Sequence, residues 1–171
     1  LNLPEIAIRE GLAAATWPAR LQRLSSGALV ARVQHQAPHA RLWLDGGHNA
    51  AAAQALSGWA QSLAGTPLKT QSGETRLDII LAMLNTKAHD DFLENLKPLT
   101  PFAQLHCVPI DDQPNAISPD VLARAAGKVG LKARAHDSLQ AALEAVPSTA
   151  QDVLICGSLY LAGQALRANR G

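Results

Sequence analysis

Arg41-Leu42-Trp43-Leu44-Asp45-Gly46-Gly47-His48-Asn49-Ala50 is the stretch around which the rest of the chain falls into order. Three apolar residues run into an acid, two glycines, a histidine and an asparagine. An alanine-rich segment follows. This order predicts a buried strand, a tight turn and a helix. In open α/β sheets ligands settle at such strand ends, where the next helix offers free N–H groups. Glycine takes backbone angles closed to other residues and leaves room for a ligand. Asp45 and His48 then stand at the mouth of a site. The same spacing equally describes a well-made turn with two polar residues facing water, so its context has to decide.

The chain has 171 residues, enough for one domain with a real core. Hydrophobic residues make up 47% and charged residues 17%, which is a globular composition. Aromatics are only 4%, so Ala, Leu and Val must build most of the core. A net charge of +1, with 15 basic residues spread along the chain, gives no electrostatic case for nucleic acid or an anionic membrane. The two cysteines, Cys107 and Cys156, fall in segments that read as buried strands. Two reduced core thiols of a cytoplasmic protein are expected, ahead of a disulfide or a metal pair. No apolar run is long enough to span a bilayer, and no signal peptide is read. The first residue is Leu1 in a helical pattern, as expected of a piece of a longer protein.

Working outward, residues 4–15 read as a helix with Pro4 in its first turn and Ile8, Leu12 and Ala15 on one face. Pro18 disfavours helix at Trp17, so 16–24 is expected to be extended. Arg20 and Arg23 beside Trp17 make a candidate anion contact, or a solvated linker with Trp17 tucked into the core. Residues 28–34 alternate well enough for a strand, and with 41–45 they are expected to form a hairpin at the sheet edge. Leu56, Trp59, Ala60 and Leu63 repeat at helical spacing within 49–63. Residues 65–75 are a loop. Leu77–Leu84 is a nearly continuous apolar run, as in parallel strands covered on both faces. A helix through Phe92, Leu93 and Leu96 follows, closed by Pro98. Ala103–Ile110 is the third buried strand. Ser118-Pro119-Asp120 starts a helix whose inner face is Leu122, Ala125, Ala126 and Val129, and which Gly130 ends. Leu131–Ala135 is a short strand, Ser138 caps the next helix, 152–157 is the last strand, and Ser158-Leu159-Tyr160-Leu161 opens the final helix. Strand and helix alternate, so the expected fold is α/β with a mostly parallel sheet and helices on both faces.

All parallel strand ends meet along one sheet edge. This places Asp45, His48 and Asn49 there, with Asn85 and Lys87, Asp111 and Asp112, and Ser158 and Tyr160. Asp111-Asp112 reads better as an exposed acidic turn than as a metal site, because no third ligand of fixed spacing accompanies it. His106 sits inside an apolar run and is expected to be a core or sheet-face histidine. His35, His39, His89 and His136 lack metal-site spacing. Gly127-Lys128 is followed by Val129, so it is no P-loop, and no G-x-G-x-x-G follows a strand. The domain is therefore not expected to hold nucleotide phosphates by itself.

Four stretches then carry a resemblance: Trp17-Pro18-Ala19-Arg20-Leu21-Gln22, Leu44-Asp45-Gly46-Gly47-His48-Asn49, Leu81-Ala82-Met83-Leu84-Asn85-Thr86-Lys87 and Gly157-Ser158-Leu159-Tyr160-Leu161. In this order, over essentially the whole chain, they resemble the C-terminal Rossmann-like domain of folylpolyglutamate synthase/dihydrofolate synthase, in the Mur ligase superfamily. The usual forms are W-P-G-R-L-Q, D-G-A-H-N-P, a G-M-L strand with a nearby Lys, and G-S-L-Y. Here Ala19 replaces glycine, Gly47 alanine, Ala50 proline and Ala82 glycine, all small changes beside the polar residues.

The resemblance implies part of an ATP-dependent amide ligase that adds L-glutamate to dihydropteroate or folates. A carboxylate takes the γ-phosphoryl group, and the glutamate amine displaces phosphate from the acyl phosphate. It further implies Arg20, His48 and Lys87 as the catalytic set. Arg20, Asp45, His48 and Asn49 would bind ATP, with Arg20 on its phosphates and Asp45 on its ribose. Lys87, Ser158 and Tyr160 would lie on the glutamate side. No metal ligand is expected in this chain: the P-loop and the magnesium ligands would belong to an N-terminal ATPase domain, the partner of this one. Residues 1–24 would be the lead-in helix and linker from that domain, 25–171 the ligase domain, and the molecule a monomer. Two other readings remain: the C-terminal domain of a peptidoglycan Mur ligase, against which the W-P-A-R-L-Q and G-S-L-Y forms argue, and a non-catalytic α/β ligand-binding module. A receiver-like module would need further acids at the first strand, which are absent.

Overall fold

A computed structural model describes residues 4–14, 17–63, 77–85 and 88–171. The apolar run at Leu77 sits where its composition requires. Strand β3 (Leu77–Leu81) is buried at every position and lies between two parallel neighbours, β4 (Ala103–Cys107) and β6 (Asp152–Cys156). A strand covered on both faces has no solvent-facing positions to fill with polar residues. Outward from there lie β5 (Lys132–Ala135) beyond β4, and β2 (Arg41–Leu44) beyond β6, both parallel. The sheet ends at β1 (Gln22–Leu24), antiparallel to β2, giving the order β1-β2-β6-β3-β4-β5.

Alternate residues of each strand feed two cores. On one face Leu42, Leu44, Ile80, Val153 and Ile155 pack against helices α2 (Ala28–Gln36), α6 (Leu139–Glu144) and α7 (Leu159–Arg170). On the other, Ile79, Leu81, Leu105 and Leu154 pack against α3 (Ala50–Leu63), α4 (Ala88–Leu96) and α5 (Pro119–Lys128). The α/β architecture with helices on both faces is thus the one expected. Helix α1 (Glu5–Ala14) also forms, although the side chains of Ile8 and Leu12 and all of Ala15 lie outside the described residues, as does the loop expected at 65–75.

Two expectations need correction. Residues 28–34 are not a strand but most of α2, with Leu29, Val30 and Val33 buried along one helical face. Its N-terminus is held from a distance: the amides of Leu29 and Val30 donate to Oδ1 of Asn169 (3.0 and 3.4 Å), near the end of α7. No nearby residue caps this helix, so its start carries no local signal. The edge hairpin is accordingly absent. The antiparallel partner of β2 is Gln22–Leu24, and α2 lies between the two strands in sequence.

Candidate active-site crevice

The helices after β2 and β3 cover one face of the sheet, while the helix after β6, the strand between them, covers the other. Adjacent strands whose helices diverge in this way open a crevice at their C-terminal ends. The stretches 19–21, 45–49, 83–84 and 157–160 meet there.

Asp45 ties them together. It is 7% exposed, and its amide donates to the carbonyl of Ile155 (2.9 Å), extending the β2–β6 ladder by one rung. Its carboxylate accepts from the amide of Leu21 at Oδ2 (2.7 Å) and from the amide of Gly47 at Oδ1 (2.6 Å). The amide of Gly46 donates to the carbonyl of Ala19 (2.7 Å), and that of Gly157 to the carbonyl of Gly47 (3.0 Å). The Trp17–Gln22 stretch, the turn after β2 and the turn after β6 therefore form one hydrogen-bonded unit. Both carboxylate oxygens of Asp45 are engaged with backbone.

The glycines of this turn serve a different purpose from the one expected. Neither Gly46 nor Gly47 has a positive φ. A Cβ on Gly46 would lie 2.2 Å from Cδ2 of Leu159, and one on Gly47 would lie 2.6 Å from Cβ of Ala52. Close packing, not a special backbone angle, excludes a side chain at both positions. The left-handed glycine of the site is Gly157, at φ 99°, where a Cβ would also meet the carbonyl of Ala82 at 2.6 Å. Ala19 adopts φ 55°, although the usual form has glycine there.

Asn49 and Ser158 both act as helix caps. Oδ1 of Asn49 accepts from the amide of Ala52 (2.9 Å) at the start of α3. Oγ of buried Ser158 accepts from the amide of Tyr160 (3.1 Å) at the start of α7. His48 is exposed, and its Nδ1 donates to the carbonyl of Gly46 (3.2 Å), which leaves Nε2 of the neutral ring as an acceptor. Arg20 is exposed beside this turn, and Trp17 is 73% exposed rather than tucked into the core. Between the strand ends lies a cavity of about 230 Å³, lined by His48, Met83, Leu84, Gly157, Ser158, Leu159 and Tyr160. Its walls are largely apolar, with His48 and Tyr160 at the rim. Leu159, 53% exposed at the first turn of α7, had no polar chemistry to mark it in the sequence.

Lys87 and Thr86 lie outside the described residues. Asn85 is exposed, and its amide donates to the carbonyl of Asn115 (2.7 Å), which brings the loop after β4 against the end of β3. Asp111 and Asp112 are exposed in that loop, and among the described residues no three His, Cys, Asp or Glu side chains could hold a metal. Beneath the site Cys156 is buried, and burial first and the charge of Asp45 second push its thiol up from the usual range. Cys107 is pushed up to about 12 by burial alone. No described helix is long and apolar enough to cross a membrane.

Residues 29–168 match the family described as dihydrofolate synthetase, C-terminal domain. Over 155 residues the chain is 32% identical to folylpolyglutamate synthase of Lacticaseibacillus casei, covering 91% of this chain and 30% of that protein. The folylpolyglutamate synthase of Mycobacterium tuberculosis, solved with ADP and AMPPCP, is 28% identical and superposes with a TM-score of 0.68, over 99% of this chain and 36% of that one. E. coli FolC, solved with DHPP and ADP, has the same fold, with a TM-score of 0.71 at 24% identity, over 98% of this chain and 34% of that one. The chain thus spans about a third of the length of these relatives. A family match over most of the sheet and its helices, joined to an intact motif order around the crevice, makes this chain a member of the dihydrofolate synthetase C-terminal domain family.

Proposed function

We propose that this chain is the ATP- and glutamate-facing domain of an ATP-dependent amide ligase that joins L-glutamate to dihydropteroate or folates. One observation carries the reading. Stretches far apart in sequence, 19–21, 45–49 and 157–160, are hydrogen-bonded into one wall of a crevice at a topological switch point. In the reaction, a carboxylate oxygen of the pteroate or folate attacks the γ-phosphorus and ADP leaves. The glutamate nitrogen then attacks the acyl phosphate, phosphate leaves, and the nitrogen gives up its proton.

Arg20 is exposed at the crevice, and its guanidinium suits phosphate oxygens. His48 presents Nε2 to the same space, and Asn49 and Ser158 fix the helix starts that flank it. Asp45 contributes by holding Leu21 and Gly47 in place, a role beside which any ribose contact would be additional. Lys87 and Tyr160 are assigned to the glutamate side. The divalent metal and the P-loop are assigned to an ATPase domain that partners this one. The described residues offer no ligand set for the metal, and no step here is routed through it.

The test is made in the full-length enzyme. A charge-assisted hydrogen bond is worth about 1.5–3 kcal/mol, so Arg20→Ala should lower kcat/KM by roughly 10- to 150-fold with an unchanged Tm. Asp45→Ala should lower both turnover and Tm, because each amide left without an acceptor costs about 1–3 kcal/mol. Wild-type kinetics in Arg20→Ala would defeat the assignment.

A further inference from the structure

A second polar cluster lies away from the crevice, on the sheet face that α6 covers. Asp78 on β3 and His106 on β4 are 0% and 2% exposed. His106 and Arg134 are cross-strand partners on β4 and β5, and alternation puts all three residues on one face. With both rings neutral, the tautomers follow from the Asp78 carboxylate, which can only accept. Nε2–H of His106 donates to Oδ1 of Asp78 (2.8 Å), and Nε2–H of His136 donates to Nδ1 of His106 (2.9 Å). These two bonds engage both ring nitrogens of His106 and Nε2 of His136.

One atom is left over. Oδ2 of Asp78 is buried and has no hydrogen-bond partner. Such an acceptor in a native fold needs an explanation, and a donor from outside the protein supplies one. Asp78 lines a cavity of about 190 Å³ with Gln104, His106, Arg134, Ala145 and Pro147. Arg134 is exposed and has no ion-pair partner among the described residues. The cavity lining therefore includes both the residue with the unsatisfied carboxylate oxygen and an exposed arginine, along with Ala145 and Pro147. A metal ion is a poor occupant, since the His106 nitrogens are committed and no three ligating side chains converge among the described residues.

We propose that this cavity is a second small-molecule site, for an α-amino-acid zwitterion with a small side chain. The ammonium donates to Oδ2 of Asp78 and the carboxylate accepts from Arg134, so each end of the ligand answers a group the protein leaves unpaired. Neither acetate nor methylammonium supplies both ends.

The histidine ring nitrogens of the chain report occupancy directly by ¹H–¹⁵N NMR at neutral pH. Glycine and L-alanine should produce saturable shifts of the His106 nitrogens. Binding should weaken at least tenfold for acetate or methylammonium alone, and at least tenfold in Arg134→Gln. Asp78→Asn should also abolish the response. Should that buried change unfold the chain, the exposed Arg134→Gln variant carries the test alone. Absence of a saturable shift would mean that solvent alone fills the cavity and would overturn the proposal. Equal binding of acetate, or unchanged binding in Arg134→Gln, would overturn it as well.

Discussion

Asp45 shows how one side chain can hold distant stretches of backbone together. Its two oxygens span the amides of Leu21 and Gly47, which are 26 positions apart in sequence but adjacent in space. Below it, the cysteines illustrate what burial does to a thiol. Cys107 and Cys156 flank Leu81 on either side, so their Cα atoms are about 9.6 Å apart, two strand spacings, and beyond disulfide reach. Both are 1% exposed or less and both thiols are pushed up, so the reactive thiolate is scarce. Iodoacetamide should leave both unlabelled in the native chain and modify both in denaturant, as mass spectrometry would show. His136 is a second case. Burial first, then His106 and Arg134, lower its pKa from the usual value, with Asp137 opposing. The unfolded chain therefore binds this proton more readily than the folded one. Stability should rise with pH across the window from the lowered folded value up to the ordinary histidine value of about 6.5, and fall as pH drops through it. Denaturant titrations should show a flatter pH dependence in His136→Asn.

At the scale of elements, α2 depends on α7. Asn169 accepts from Leu29 and Val30 and donates to the carbonyl of Ser26 (2.8 Å), so one side chain fastens both the start of a helix and the turn before it. Gly27 has φ 116°, and a Cβ there would lie 2.4 Å from Nδ2 of Asn169, so the turn must be glycine. Losing a cap costs about 1–2 kcal/mol. In a chain of this size Asn169→Ala should lower Tm by roughly 2–8 °C, with the earliest loss of hydrogen-exchange protection in α2. Equal protection of α2 in both proteins would show that the cap is dispensable. The contrast with α5 and α6 is instructive. Pro119 occupies the first turn of α5, and Oγ of Ser138 accepts from the amide of Ala141 (3.0 Å) at the start of α6, so their start signals are local and were readable.

At the scale of the molecule, inserting β6 between β2 and β3 is the decisive step. It sends α7 to the face opposite α3 and α4 and opens the crevice between their starts. The crevice supplies a cation, an imidazole and two capped helix starts, but no described ligand set for a metal. Such a half-site should bind nucleotide weakly and catalyse nothing alone. The purified chain, given ATP, magnesium, L-glutamate and dihydropteroate, should release no phosphate above background. Sustained substrate-dependent release would refute the division of labour proposed here.

The sequence by itself determined the α/β class, the buried β3, β4 and β6, and the identity of the crevice stretches. These follow from local causes: continuous apolar runs, helical periodicity, and polar residues placed just after strands. Only the tertiary structure decided that 28–34 is helical and that Gln22–Leu24 forms the edge, because the cap on α2 comes from 140 residues away. It also decided that Gly46 and Gly47 serve packing against Leu159 and Ala52, and that Asp45 spends its carboxylate on backbone. Those outcomes depend on neighbours that the fold brings together, and spacing along the chain does not encode a neighbour's distance.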